Sequence, residues 1–368
     1  MPADCVRAAL LTPAGRGALA VVGVAGPGAE ALVSRLFTPR GGRPLASRPD
    51  GAIAFGRWGD GAGGPGEDLV VVRRRMDDLE IHCHGGLAAS EAVIGGLERL
   101  GARRIAWPDW LRSGGQSEIE VEVRAALARA AGPQAARILT RQLAGALDAA
   151  CARVRDLVDA GKTDAAQAAI DRLLRAARVG LRLVRPWRVV LAGRVNAGKS
   201  SLVNALAGHA RSIVSPEPGT TRDLLETRVV IGGWEMDIVD AAGERDAEDA
   251  AGATAVERAG IAKALAARGD ADLVIRVVDV RDAVAAAPGA TAELLVVTKT
   301  DLDQDRSATL PERAIRTSAV TGEGIDALAE AIVQRLVPEE SAEPDLLAGA
   351  VPFTDRQVAV LRVWRRAL

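Results

Sequence analysis

The sequence predicts an α/β protein built from an N-terminal α+β unit, a run of amphipathic helices and a doubly wound nucleotide-binding domain. Three observations carry that expectation. The apolar run Val189 to Ala192 leads straight into Gly193-x-x-x-x-Gly198-Lys199-Ser200 and then into the helix-forming Leu202, Val203, Ala205 and Leu206, which spells strand, loop, helix. Between Gln116 and Val184 the apolar residues recur at helical spacing. Before residue 104, short apolar runs alternate with two helical patterns.

Composition excludes several classes. A formal net charge of −1 over 368 residues carries no polyanion-binding signature for the whole chain, so any nucleic-acid contact is local. The three cysteines, Cys5, Cys83 and Cys151, lie far apart and fit a reduced, cytoplasmic protein better than a disulfide scaffold. Asp4 and Arg7 interrupt the short apolar opening, so no signal peptide is expected. No run approaches the ~18 apolar residues of a membrane span.

In residues 1–104 the strands are expected at Val6 to Leu11, Leu19 to Val24, Ile53 to Phe55, Leu69 to Val72 and Leu79 to Ile81, with helices over Ala29 to Leu36 and Leu87 to Leu100. Alternation along Glu80-Ile-His82-Cys-His84-Gly-Gly puts Glu80, His82 and His84 on one face, as zinc ligands would be. No second ligand cluster closes a tetrahedron, and a strand-to-helix turn accounts for the same residues. Residues 105–187 are expected to form the first part of a helical domain. One helix should run from about Ser117 to Ala131, a second from Pro133 through Leu139, Leu147 and Val158, and a third from Thr163 or Asp164 to Val184. On the third, Arg172, Arg175, Arg178, Arg182 and Arg185 make a basic stripe. It could track a phosphate backbone, although a solvated face is the simpler account.

Residues 188–337 carry the chemistry. Glycines let successive N–H groups of Asn196, Ala197, Gly198, Lys199, Ser200 and Ser201 turn towards phosphates, the Lys199 ammonium reaches the terminal oxygens, and the Ser200 hydroxyl suits Mg²⁺. A polar loop follows, Ser215-Pro-Glu217-Pro-Gly-Thr220-Thr221-Arg-Asp223, then a strand pair turning at Gly232-Gly233. The second strand ends in Asp240-Ala-Ala-Gly243, a carboxylate for Mg²⁺ through water and a glycine N–H for a terminal phosphate. A later strand ends in Thr298-Lys299-Thr300-Asp301. A carboxylate there accepts from the N1 and N2 hydrogens of guanine, a pair that adenine lacks, so GTP and GDP are the expected ligands. Ser318 and Ala319 are placed to support the base. Each tetrapeptide is weak alone; their order at successive strand ends makes the set strong. After Pro338 an acidic linker leads to a last helix over Thr354 to Leu368.

The chain resembles the MnmE/TrmE family of tRNA-modification GTPases. The likeness rests on Thr12-Pro-Ala-Gly-Arg16-Gly, Glu80-Ile-His-Cys-His-Gly-Gly, Gly193 to Ser201, Gly219-Thr-Thr-Arg-Asp223, Glu257-Arg-Ala-Gly-Ile261 and Arg356-Gln357, all in order along nearly the whole chain. It implies a P-loop GTPase domain inserted in a helical-bundle domain, whose second part is 338–368, behind an N-terminal folate-binding-like domain that forms a homodimer. It also implies potassium-stimulated hydrolysis, with K⁺ at Asn196, Ser215, Glu217 and Thr220, and Mg²⁺ at Ser200, Thr221 and Asp240. Glu257 then orients the attacking water; read without the resemblance, it is a solvated residue on a surface helix. The implied partners are tRNA and an FAD-containing subunit, and the implied one-carbon donor is a tetrahydrofolate derivative near Arg16 and Glu80.

Several positions depart from the family pattern. Asp240-Ala-Ala-Gly replaces Asp-Thr-Ala-Gly, Glu244 stands where an apolar residue is usual, Thr298 replaces asparagine, and Gly23 replaces an arginine of the folate site. The Cys-Ile-Gly-Lys tail has no counterpart. These changes admit a second expectation, a GTP-controlled switch without the folate-dependent step; a ribosome-assembly GTPase fits the N-terminal unit poorly.

Overall fold

Alternating apolar and polar residues build the first sheet, because each strand must bury one face against helices and leave the other towards water. The computed structural model describes residues 5–13, 17–59, 66–209, 225–240, 271–282, 293–303, 310–311, 313–338 and 343–368. Its contacts divide into two units, Met1–Val121 and Glu122–Leu368.

In the first unit the strands are β1 (Arg7–Leu10), β2 (Leu19–Ala25), β3 (Phe37–Pro39), β4 (Ala52–Trp58), β5 (Glu67–Arg75), β6 (Asp78–His84) and β7 (Arg103–Arg104). They order as β3-β4-β5-β6-β2-β1-β7, antiparallel except for the parallel β1–β7 edge. Val22, Val24, Ala54, Leu69, Val71, Leu79 and Ile81 form a core with Val33 of α1 (Ala29–Ser34) and Val93, Ile94 and Leu97 of α2 (Leu87–Arg99). A short helix that the sequence did not announce, α3 (Trp107–Ser113), follows. Its Trp110 ring fills the space beside Gly23 of β2, where an added Cβ would lie 2.6 Å from a ring atom.

The next four helices differ from expectation in their ends. After α4 (Glu118–Leu127), the Arg129 and Ala130 amides bond three residues back, so the helix tightens and stops before Ala131. The expected second helix is two, α5 (Pro133–Leu143) and α6 (Ala146–Asp159). Gly145 between them has φ +91°, a conformation no helix contains. Then α7 (Thr163–Gly180) stops short of Val184.

The last helix, α11 (Asp355–Ala367), comes from the far end of the chain and packs on α7. It starts on a capping box: the Gln357 amide N–H donates to Thr354 Oγ1 at 3.2 Å, and the Thr354 N–H to Gln357 Oε1 at 3.3 Å. Arg356 donates to both oxygens of Glu122 (2.7 and 2.8 Å), and Gln357 Nε2 adds a bond of 2.7 Å. Buried Gln142 of α5 donates to Gly349 O and accepts from Val351 N. The bundle is thus closed by residues from both sides of the α/β domain.

That domain has β8 (Trp187–Ala192), α8 (Lys199–His209), β9 (Leu225–Ile231), β10 (Trp234–Asp240), β11 (Leu273–Asp279), β12 (Glu293–Thr298), β13 (Ile315–Arg316) and α9 (Ile325–Leu336). Strand order is β13-β12-β11-β8-β10-β9, parallel except for the β9–β10 hairpin. The expected α/β class and its phosphate-loop domain are both present. A short helix, α10 (Pro344–Ala348), lies between α9 and α11. Among the described residues no helix is long and apolar enough to cross a membrane.

Candidate nucleotide site

Register brings the chemistry together. Asp240, the last residue of β10, pairs with Leu191 near the end of β8, and Asp279, the last of β11, pairs with Thr298, the last of β12. Parallel strands end at one edge of the sheet, so residues far apart in sequence meet there.

The phosphate loop is fixed by close approach. A Cβ on Gly193 would sit 2.2 Å from Val277 O, so no larger residue fits between β8 and β11. Asn196 and Gly198 both have positive φ, +64° and +90°, and turn the loop back into α8. Lys199 is buried, 7% exposed, and its ammonium donates to Gly193 O (2.9 Å) and Arg194 O (3.0 Å) of its own loop. Ala197 is buried within the loop, while Ser200 and Ser201 are exposed on the first turn of α8. The Ser200 hydroxyl donates to Asp240 Oδ2 at 2.5 Å. A hydroxyl and a carboxylate side by side, both hard oxygen donors, suit a small divalent cation.

The expected base end is equally built. Asp301 Oδ1 accepts from the fully buried Ser318 hydroxyl at 2.6 Å, and Ser318 Oγ accepts in turn from the N–H groups of Val320 and Thr321. Ala319 beside it is exposed. Thr298, 4% exposed, donates its hydroxyl to Ala197 O at 2.5 Å. Lys299, at φ +59°, donates its ammonium to Asn196 O (2.6 Å) and to Asp279 Oδ2 (2.8 Å).

Asp279 was not anticipated. It is 5% exposed and takes Arg281 on both oxygens as well as Lys299; the Arg281 hydrogen bond above all, with Lys299 second, holds its carboxyl well below the usual carboxylate range. A carboxylate closing an apolar parallel strand was the available signal, since a buried charge must find a partner.

The remaining expected residues fall into two groups. Gly243, Glu244, Ser215, Glu217, Thr220, Thr221, Glu257 and Arg16 lie outside the described residues. Glu80, in the first unit, pairs with Arg74 (3.1 Å) and sits 3.3 Å from His82 Nε2; His84 Nδ1 turns to Glu67 at 2.5 Å. Among the described residues no three potential ligands cluster around a common point. Of the expected basic stripe, Arg172, Arg175 and Arg178 lie on α7 and Arg182 and Arg185 beyond its end. Arg172 donates to Asp345 O, Arg182 pairs with Asp272 and stacks on Trp187, and Arg185 pairs with Asp355.

Comparison with known proteins bears on this edge first. The family described as 50S ribosome-binding GTPase matches residues 188–306. The tRNA modification GTPase MnmE of Symbiobacterium thermophilum is 33% identical over 412 residues, an alignment covering 98% of this chain and 88% of that protein. The chain belongs to the MnmE family. The MnmE of Thermus thermophilus is likewise 33% identical over 97% of this chain and 87% of the relative, and that of Nitratidesulfovibrio vulgaris 30% identical over 98% and 87%. With MnmE relatives along nearly its whole length and the GTPase family over its phosphate-loop domain, the chain is a GTP-hydrolysing enzyme.

Proposed function

We propose that this chain couples hydrolysis of GTP to modification of tRNA, as a homodimer working with tRNA and an FAD-containing subunit. The observation that carries the reading is the single sheet edge where Lys199, Ser200–Asp240 and Ser318–Asp301 lie at the ends of β8, β10 and β12. In this reading Asn196, Ala197, Gly198, Lys199, Ser200 and Ser201 hold the phosphates with Gly243. Asp301 selects guanine, flanked by Thr298, Lys299, Ser318 and Ala319. Ser200, Thr221 and Asp240 hold Mg²⁺, which supplies charge neutralisation at the phosphates when bound. Asn196 with Ser215, Glu217 and Thr220 holds K⁺, and Glu257 orients the attacking water. GTP turnover faster in KCl than in NaCl at equal ionic strength is the expected result. Equal rates remove the potassium assignment.

A second reading, a GTP-controlled switch without folate chemistry, is favoured by one observation. At Gly23, where the family resemblance places an arginine of the folate site, the Trp110 ring occupies the space, and Glu80 is held by Arg74 and His82. Neither position then offers an uncommitted side chain to a tetrahydrofolate, and no step is routed through it. Titration of the protein with 5-formyltetrahydrofolate separates the readings: saturable binding supports the first, and its absence the second.

A further inference from the structure

Guanine presents two edges to a protein, the N1 and N2 donors on one side and the N7 and O6 acceptors on the other. A carboxylate reads the first; the second needs a donor. At the end of β12 the side chain nearest to that task is Thr298, and its geometry is already decided. It is 4% exposed, its hydroxyl donates to Ala197 O at 2.5 Å, and Val278 O lies 3.2 Å away as a second acceptor among the described residues. A hydroxyl has one hydrogen to give. The loop also packs directly on it, since a Cβ on Gly198 would lie 3.4 Å from Thr298 Oγ1. The Lys299 ammonium next to it is committed to Asn196 O and Asp279, and the Thr300 hydroxyl is sealed from solvent.

We infer that position 298 serves the phosphate loop and leaves N7 of the purine unread, so Asp301 selects the base through its N1/N2 edge without help from an N7 contact. The inference rests on the guanine-nucleotide reading of the site and sharpens it. Thr298 ties β12 to the loop through Ala197, one residue before Gly198 and two before Lys199, and so acts on the phosphates as a positioning residue. Asp301, steadied by the Ser318 hydroxyl, acts on the base. A carboxamide at position 298 would bring two N–H donors and could serve loop and base together. The threonine serves only one.

The test compares calorimetric affinities of the full chain, with Mg²⁺, for GDP, 7-deaza-GDP, in which a C–H replaces N7, and IDP, which lacks the N2 amine. The expected result is 7-deaza-GDP within about threefold of GDP and IDP weaker by about tenfold or more, as a lost hydrogen bond to a charged group implies. Loss of more than about threefold on removing N7 overturns the inference. Thr298→Val, the same shape without the hydroxyl, should weaken GDP and 7-deaza-GDP by the same factor. A variant that weakens GDP alone shows the hydroxyl on the base and overturns it too. Thr298→Asn should create a preference for GDP over 7-deaza-GDP. If GDP itself does not bind the unmodified protein, the guanine reading falls, and the inference with it.

Discussion

The two sheets of this protein treat polar residues in opposite ways. In the parallel sheet of the second unit, Lys199, Ser200, Asp240, Thr298 and Asp301 sit at strand ends or just beyond, on loops whose carbonyls and amides hold them in place. In the antiparallel sheet of the first unit, polar side chains along the strands are spent within the unit: Arg74 on Glu80 and His84 on Glu67 across β5 and β6, and Arg73 on Glu30 of α1 and on Asp50 before β4. Parallel strands aim all their carboxyl ends one way and concentrate function at one edge. Antiparallel strands alternate direction, so no such edge exists, and pairing across strands absorbs the charge.

That contrast can be broken at several points. The largest effect is expected at Lys199→Ala, which should lower GTP turnover by about 100-fold or more because it removes the ammonium from the phosphates, while thermal unfolding of the first unit stays unchanged. Asp301→Asn should exchange guanine for xanthine preference by a similar factor, measured with XDP against GDP, because an amide donates where the carboxylate accepted. In the first unit, Ile81→Ala removes a fully buried side chain and should cost about 2–5 kcal/mol of stability in chemical denaturation with GDP affinity intact. Any shift in GDP affinity would show that the two sheets are not independent. Thr354→Ala, which removes the cap of α11, should cost about 1 kcal/mol. The smallest effect is chemical. Burial pushes the Cys83 thiol up to about 11, so at pH 8 it should react with iodoacetamide far more slowly than half-buried Cys5. Because the folded protein holds that proton more tightly, Cys83 makes stability fall as pH rises from the unfolded thiol's range towards 11.

Much of the second sheet was legible because local signals coincide with structure: an apolar run, a glycine loop and a helix are contiguous from Val189 to Leu206, and β8 and α8 lie where that run places them. The places of Asp240 and Thr298 at strand ends, and of Asp301 just beyond one, could be read from motifs. Long-range pairing could not. The stripe of arginines that starts on α7 is largely exposed, as a solvated face would be, but its partners Asp272, Asp345 and Asp355 come from far along the chain. Helix breaks were missed where one glycine decides them, as at Gly145, whose left-handed φ is invisible to apolar periodicity. Trp110 was missed for another reason: its place against Gly23 depends on a helix of 7 residues, in which Trp107, Trp110 and Leu111 give only one turn of apolar spacing. Asp279 was overlooked because its cations, Arg281 and Lys299, make a cluster only once β11 and β12 pair.

The proposed function depends on nucleotide phosphates clasped at Lys199 with the purine chosen at Asp301. Titration calorimetry of the purified chain with GDP and with ADP, each with Mg²⁺, tests it most directly. Saturable heat from GDP at one site per chain, with none from ADP, is the predicted result; no heat from GDP, or equal heats from both, would contradict it.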